Sequence, residues 1–434
     1  MSHHIHTLSK QYFQLVDVPQ LSIPPNNVLI QPAVQEALYE HMFNESLTPL
    51  PPTTYRSRVL KLLLARIEEG ITDPEEDVRN NVPKPFTTPK KNRAIISQKS
   101  HKTRHSSNPI SDSFENQEIL DSLMETWANL LTTPKPSALD QAQQLSQIKY
   151  TAPTTPTLTP STSGSTTPPR TVTISESRGV ILSGGTTGNR TWEAALHLGS
   201  YLATGAGETL IRGKRVIELG AGTGFLSLFC AKHLGARAVV ATDREPFLID
   251  NMRACVGVNT REKEIGEDGE DSRVARTIPM YPAIWDWGTK LEKVENEDGD
   301  REGKEQDSVS AVHDESVGFD IALGADLIYD ADIVPLLIST VRDLFENYHI
   351  EQFIIAATLR NEKTFKTFLD ACGEFFLLVP CLVLNAQMLT LRCIETNSFT
   401  VETLPFQSTP EDEQTGFFHS TNIPIHTYRI LPCR

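Results

Sequence analysis

Three glycines at alternate positions, Gly220, Gly222 and Gly224, follow directly on an apolar run at 216–219. Glycine lets the backbone turn sharply and lets a ligand come close, because no Cβ stands in the way. A helical pattern at 225–234 comes next, and its first turn would present free N–H groups and the positive end of the helix dipole to that ligand. This order of strand, turn and helix predicts a nucleotide-binding loop.

Two acidic residues near the turn indicate which nucleotide it binds. Asp243 ends the next apolar run at about the distance from the turn at which an acidic residue bonds a ribose diol. Glu218 lies within the end of the first strand, where it would repel a pyrophosphate and favour a cation. A dinucleotide fingerprint would also place the third glycine one position later. S-adenosylmethionine carries a sulfonium and an ammonium and no phosphate, so we expect this cofactor in preference to a nicotinamide dinucleotide. Ala221 lies within the glycine turn and is expected to contact the cofactor as well.

Further candidate residues fall where other predicted strands end. The segment WDWG contains Trp287, and the segment GADLIYD contains Ala325, Asp326 and Tyr329. Ligands of open α/β sheets bind outside the carboxyl ends of the strands, so the ends of four strands are predicted to form one site.

Each of these side chains also has a purely structural interpretation. Asp326 and Tyr329 would orient an incoming amine, or else cap the turn into the next helix. Trp287 would offer its ring to adenine or to a cation, or else lie in the core. Trp192 precedes a predicted helix, with Thr191 as a plausible cap, and would either line the cofactor pocket or pack as a core aromatic.

Apolar residues recur in alternating strand and helix patterns from about residue 172 onward. This alternation predicts an α/β domain with a doubly wound, mostly parallel, Rossmann-like sheet. Strands are predicted near 172–176, 216–219, 238–241, 274–278, 319–323, 353–358, 375–384, 388–394 and 426–431, and helices near 191–202, 225–234, 246–259, 333–347 and 363–372.

Composition divides the chain into three parts. Residues 1–131 are predicted to be a small N-terminal helical accessory region that contains a low-complexity basic linker at 83–118. Residues 132–170, rich in Thr, Pro and Ser, are predicted to be a disordered linker. Residues 171–434 are predicted to be the nucleotide-binding domain, with an acidic disordered insertion at 292–316. The basic linker also fits a nuclear-targeting or RNA-binding patch, although it contains a single aromatic residue.

Charge and cysteine usage exclude several classes of protein. The formal net charge of −15 argues against a general nucleic-acid-binding surface. Six cysteines without a CxxC pair indicate neither a metal site nor a disulfide scaffold. There is no apolar run long enough for a membrane helix and no signal peptide, so we expect a soluble, cytoplasmic protein that is a monomer.

The segments TGNRTWEAALHLGSYL, VIELGAGTG, WDWG and GADLIYD closely resemble the seven-β-strand protein-lysine methyltransferases that modify chaperones and translation factors. The N-terminal helical unit resembles that of the branch acting on translation elongation factor 2. The resemblance implies a class I methyltransferase fold with seven strands and S-adenosyl-L-methionine as cofactor. By the same resemblance, Trp192, 220–222, Asp243, Trp287 and Ala325 contact the cofactor, and Asp326 and Tyr329 face the substrate lysine.

Two other functions stay open on the sequence alone. The same core serves methyltransferases that act on another protein or on a small molecule. A catalytically silent module that binds S-adenosylmethionine would also keep this fold.

Overall fold

The computed structural model describes residues 3–72, 118–134, 136–137, 140, 144–154, 168–177, 186–261, 277–291, 318–372 and 399–433. These residues form two compact units. The smaller unit comprises Met1–Ser9, Leu21–Thr48 and Pro52–Pro134, and the larger comprises Lys10–Gln20, Pro49–Pro51 and Lys135–Arg434. Helix α1 (His3–Phe13) contributes residues to both.

The smaller unit is helical, as its sequence pattern predicts. It contains α2 (Asn26–Leu29), α3 (Pro32–Leu38), a π-helical turn (Tyr39–Phe43), α4 (Thr53–Thr72) and α5 (Asp121–Thr132). Buried residues recur along α4 at helical spacing and form one apolar stripe. The side chain of Gln35 accepts a hydrogen bond from the N–H of Leu120 at 2.8 Å and donates to the carbonyl of Glu118 at 3.2 Å, which fixes the start of α5.

The larger unit opens with an antiparallel hairpin of β1 (Ser146–Thr151) and β2 (Thr171–Glu176). The prediction of a disordered linker over 132–170 is therefore wrong for 146–151. Pairing with β2 buries Ile148 and Tyr150. Burial of these two apolar residues stabilises the strand, although the surrounding sequence is rich in Thr, Pro and Ser. The basic linker at 83–118, apart from Glu118, and the acidic insertion at 292–316 lie outside the described residues.

A seven-stranded sheet forms the centre of the larger unit, with strand order β5-β4-β3-β6-β7-β9-β8. The first five strands in that order are parallel, and β9 is antiparallel to both β7 and β8. The chain winds outward in both directions from the β3–β6 pair, so this pair is the topological switch point at which ligands bind. The strands are β3 (Arg215–Leu219), β4 (Ala238–Asp243), β5 (Met280–Ile284), β6 (Ile321–Ala325), β7 (Gln352–Thr358), β8 (Phe399–Thr403) and β9 (Ile425–Pro432).

Helices cover both faces of this sheet, which confirms the predicted doubly wound α/β fold. Alternate residues of β3 point to opposite faces. Ile217 and Leu219 belong to an apolar cluster that includes residues of the helix Val334–Glu346, whereas Glu218 contacts the helix Phe225–His233. The helices are α6 (Glu193–Leu202), α7 (Gly205–Ile211), α8 (Phe225–His233), α9 (Pro246–Arg261), α10 (Val334–Glu346) and α11 (Glu362–Ala371).

Three details of the predicted elements differ from the structure. The third strand, predicted near 274–278, is found at Met280–Ile284; residues 277 and 278 precede it, and 274–276 lie outside the described residues. It is an edge strand, where Pro282 costs no ladder bond. Helix α7 and strand β8 were not predicted, and the strands expected near 375–384 and 388–394 lie outside the described residues. The cap of α6 is Trp192 and not Thr191, and it makes no side-chain cap bond.

Within the described residues, no helix is both long and apolar enough to cross a membrane. The same residues contain no group of three or more His, Cys, Asp and Glu side chains that could hold a metal ion.

Candidate functional site

The ends of β3, β4, β5 and β6 and the segment before α6 line one cavity of about 450 Å³, within the roughly 300–1,000 Å³ that is usual for small-molecule sites. Ten of the eleven residues predicted from the sequence line it: Trp192, Glu218, Gly220, Ala221, Gly222, Asp243, Trp287, Ala325, Asp326 and Tyr329. The eleventh, Gly224, does not. It is the residue before α8 and has a φ of 76°, so it shapes the turn that leads into the helix.

The glycine loop is fixed to the end of β4 by Asp243. The N–H of Gly222 donates to Oδ2 of Asp243 at 2.9 Å, and the N–H of Glu245 donates to Oδ1 at 3.3 Å. Gly222 has a φ of 54°, and a Cβ there would lie 3.1 Å from the carbonyl oxygen of Gly188. Burial raises the pKa of Asp243, and the backbone N–H groups that it accepts oppose that rise.

Glu218 is buried beneath the loop and is bonded to the first turn of α8. Its Oε2 accepts the N–H of Ser227 at 2.9 Å and also the Ser227 hydroxyl. Burial raises the pKa of Glu218 to about 7, despite the opposing hydrogen bonds from Ser227. The carboxyl group is therefore close to its titration point at neutral pH, where a nearby cation would ionise it.

Trp192 lies on the wall of the cavity between two arginines. Its indole N–H donates to the carbonyl of Thr187 at 3.0 Å. The guanidinium groups of Arg190 and Arg360 each lie 5.1 Å from the centroid of its ring, which is within the range of a cation–π contact. Trp192 thus lines the pocket and is not a core aromatic.

Asp326 connects three elements at the carboxyl edge of the sheet. Its Oδ1 accepts the N–H of Thr358, at the end of β7, at 2.9 Å. Its Oδ2 lies 3.2 Å from the Thr358 hydroxyl, 3.4 Å from the N–H of Ala194 in α6, and 3.8 Å from Nη2 of Arg360. Burial raises the pKa of Asp326, and the bonds from Thr358 and the charge of Arg360 oppose that rise. Asp326 has a φ of 54°, a conformation that few residues other than glycine adopt.

Tyr329 stands at the mouth of the cavity, 61% exposed. Both tryptophans of WDWG line the cavity. Trp285 is 2% exposed and donates its indole N–H to the carbonyl of Thr289, whereas Trp287 is only partly buried. A Cβ on Gly220 would lie 3.4 Å from the Trp287 ring, so the ring faces the glycine loop.

Several cavity residues were not predicted from the sequence. Arg360 and Thr358 come from the end of β7, which the strand-end rule applied to the fifth parallel strand would have found. Thr223 and Thr191 share a hydroxyl–hydroxyl bond of 2.8 Å that ties the glycine loop to the segment before α6. Apart from its position in the segment TGNRTW, no sequence pattern indicates that Arg190 is a site residue.

A curated relative matches this chain over almost its whole length. Protein-lysine N-methyltransferase EFM3 of Chaetomium thermophilum is 32% identical over 421 residues, covering 97% of this chain and 95% of that protein. The chain belongs to the EFM3 family of protein-lysine N-methyltransferases. A lysine methyltransferase family model also matches residues 172–277, which contain the glycine loop and Asp243.

Other relatives match this chain over shorter spans. EFM3 of Saccharomyces cerevisiae is 24% identical, covering 61% of this chain and 66% of that protein. Protein-lysine N-methyltransferase EEF2KMT of Homo sapiens is 27% identical, covering 47% and 54%.

Membership of the EFM3 family makes the chain a protein-lysine N-methyltransferase that uses S-adenosylmethionine. The residues of the cavity fit this cofactor. Asp243 and Glu218 supply carboxylates for a diol and for cationic groups, and Trp287 supplies an aromatic face. Arg190, also in the cavity wall, has a buried Nε without a hydrogen-bond partner among the described residues, which is suited to an anionic group.

Proposed function

We propose that this protein methylates a lysine of translation elongation factor 2. The proposal is supported by the resemblance of its motifs and of its N-terminal helical unit to the branch that acts on this factor. It is also supported by similarity to the relatives named EFM3 and EEF2KMT. The observation that carries it is the cavity in which Asp326 and Tyr329 accompany the predicted cofactor residues.

We assign the two ends of the cavity to different partners. Trp192, Glu218, Gly220, Ala221, Gly222, Asp243, Trp287 and Ala325 contact the cofactor in this assignment. Tyr329 receives the lysine at the mouth, where its exposure lets a protein side chain reach it. S-adenosylmethionine would supply a methyl group activated by its sulfonium. A neutral lysine amine would attack the methyl carbon in line with the C–S bond, and S-adenosylhomocysteine would leave as the thioether.

The incoming lysine has an ordinary pKa of about 10.4 and must reach the site without its proton. Partial desolvation at the mouth of the cavity and the nearby Asp243 and Asp330 carboxylates raise the pKa of Tyr329, so its phenol keeps its own proton at neutral pH. In this proposal Tyr329 therefore orients the amine as a hydrogen-bonding partner and does not remove the proton as a phenolate. Asp326, with both oxygens already bonded, holds the loop that carries Tyr329.

The direct test is methyl transfer to purified elongation factor 2 with labelled S-adenosylmethionine, followed by peptide mass spectrometry. We expect one lysine to gain the mass of one or more methyl groups, and we expect the Tyr329→Phe variant to transfer far less. A lysate labelled in parallel distinguishes other substrates: a different labelled protein band would contradict elongation factor 2 as the substrate. Transfer of the label to small molecules alone would also contradict elongation factor 2 as the substrate.

A further inference from the structure

Arg190 is a cavity residue whose charge is only partly matched. Its Nε is buried and has no hydrogen-bond partner among the described residues. The nearest carboxylate oxygen, Oε1 of Glu193, lies 3.6 Å from Nη2, which is an ion-pair distance too long for a hydrogen bond. A buried donor without a partner is uncommon in a folded protein and often marks the place where a ligand atom binds.

Arg360, the second arginine beside Trp192, is paired more closely with carboxylates than Arg190 is. Arg360 donates to Oε2 of Glu193 at 2.6 Å and lies 3.8 Å from Oδ2 of Asp326. Burial would raise the pKa of Glu193, but its own backbone N–H and the Arg360 guanidinium outweigh that effect and hold the pKa below its ordinary value. The Glu193 carboxylate is thus engaged mainly by Arg360, which leaves Arg190 as the cation with bonding capacity toward the cavity.

Arg190 belongs to a segment that lies directly on the glycine loop. The carbonyl oxygen of Gly188 would be 3.1 Å from a Cβ on Gly222, and the hydroxyls of Thr191 and Thr223 are 2.8 Å apart. Gly222 in turn donates its N–H to Asp243, the residue assigned to the ribose. A ligand whose ribose binds at Asp243 therefore lies next to the glycine loop and next to the segment that carries Arg190.

We propose that Arg190 binds the carboxylate of the methionine part of S-adenosylmethionine. This cofactor ends in an amino acid zwitterion, and a guanidinium matches a carboxylate with two parallel N–H···O bonds. The cation–π contact with Trp192 restrains the guanidinium before the ligand binds. Arg190 thereby selects ligands that contain the amino acid part. This inference concerns the cofactor and is independent of which protein is methylated.

The test compares two ligands that share adenine and ribose and differ in the amino acid part. S-adenosylhomocysteine contains it and 5′-methylthioadenosine lacks it. Calorimetry on the full chain should show that Arg190→Gln weakens binding of S-adenosylhomocysteine by roughly 10- to 100-fold, the effect of losing hydrogen bonds to a charged group. Binding of 5′-methylthioadenosine should stay within about twofold, since this ligand has no carboxylate for the guanidinium to bind.

Two further variants make the result decisive. Arg190→Lys keeps the charge and loses the fork, so its affinity for S-adenosylhomocysteine should lie between those of the wild type and Arg190→Gln. Arg360→Gln changes the other arginine beside Trp192 and should not discriminate between the two ligands. The assignment is overturned if Arg190→Gln weakens both ligands equally, or if its affinity for S-adenosylhomocysteine matches that of the wild type.

Discussion

The carboxylate of Asp326 accepts the N–H of Thr358 at 2.9 Å, which joins the loop after β6 to the end of β7. Its second oxygen lies 3.2 Å from the Thr358 hydroxyl and 3.4 Å from the N–H of Ala194 at the start of α6. One side chain therefore fixes the spacing of three elements around the mouth of the cavity. Asp326 of the segment GADLIYD therefore has a structural role in the protein.

The Asp326→Asn variant should unfold more easily than the wild type. An amide offers one acceptor oxygen instead of two, so a buried N–H or hydroxyl loses its partner, at a cost of about 1–3 kcal/mol in the free energy of unfolding. Asparagine tolerates the positive φ of this position, so the backbone conformation is not itself penalised. Denaturant unfolding measures the difference.

The exposed Asp330→Asn change is the matched control for Asp326→Asn, and it should alter stability by no more than about 0.5 kcal/mol. If Asp326→Asn is as stable as the wild type and yet transfers no methyl group, the carboxylate acts on the lysine directly and not through the loop.

The Tyr329→Phe variant should lose activity without losing stability. The side chain is exposed at the mouth, so removal of its hydroxyl leaves no buried group without a partner. We expect methyl transfer to fall by at least about 10-fold, because the amine loses its orienting partner. Affinity for S-adenosylhomocysteine should not change. Tyr281→Phe, on β5 and outside the cavity, serves as the control, and full activity of Tyr329→Phe would exclude the assigned role.

The Asp243→Asn variant should weaken S-adenosylhomocysteine and 5′-methylthioadenosine to the same extent. Both ligands carry the ribose diol, and the loss of a charged acceptor costs roughly 10- to 100-fold in affinity. This pattern contrasts with the selective loss expected for Arg190→Gln. Calorimetry gives both values, with the exposed Asp250→Asn as control. Unchanged affinity would mean that Asp243 holds only the glycine loop and does not contact the ribose.

Stability should depend on pH through Glu218. Folding raises its pKa from 4.5 to about 7, so between these values the folded protein holds a proton that the unfolded chain has released. This contribution is complete below about pH 4.5 and is lost as the pH rises through about 7, so it decreases across that window by up to about 3 kcal/mol.

Denaturant unfolding of the wild type and of Glu218→Gln at about pH 5 and about pH 7.5 isolates this contribution, since the amide does not titrate. The wild type should lose more stability than the variant between the two pH values. Equal losses would show that Glu218 titrates alike in the folded and unfolded chain.

Much of the larger unit follows from local sequence patterns. The strand, glycine turn and helix at 215–233 and the strand ending at Asp243 are continuous in the chain, and each is specified by apolar periodicity and by glycines that the turn needs. The rule that ligands bind at the carboxyl ends of parallel strands then brought Trp287, Ala325 and Tyr329 to the same site. These positions required no knowledge of side-chain contacts.

Other features depend on partners far away in the chain. The composition of the segment that contains β1 predicts a linker. The strand is stabilised by pairing with β2 and by the buried hydrogen bond that the Tyr150 hydroxyl donates to Glu176. Gly224 belongs to the same glycine pattern as Gly220 and Gly222, yet it lies outside the cavity because the chain has already turned into α8.

The sequence by itself determined the α/β winding, the cofactor class and ten of the residues that line the cavity, because periodicity, glycine spacing and charge are local properties. Only the tertiary structure decided how the charges are paired. Glu193 engages Arg360 more closely than Arg190, although Arg190 is the nearer arginine in sequence. That choice arises because β7 places Arg360 beside the start of α6, and it leaves the buried Nε of Arg190 without a hydrogen-bond partner among the described residues.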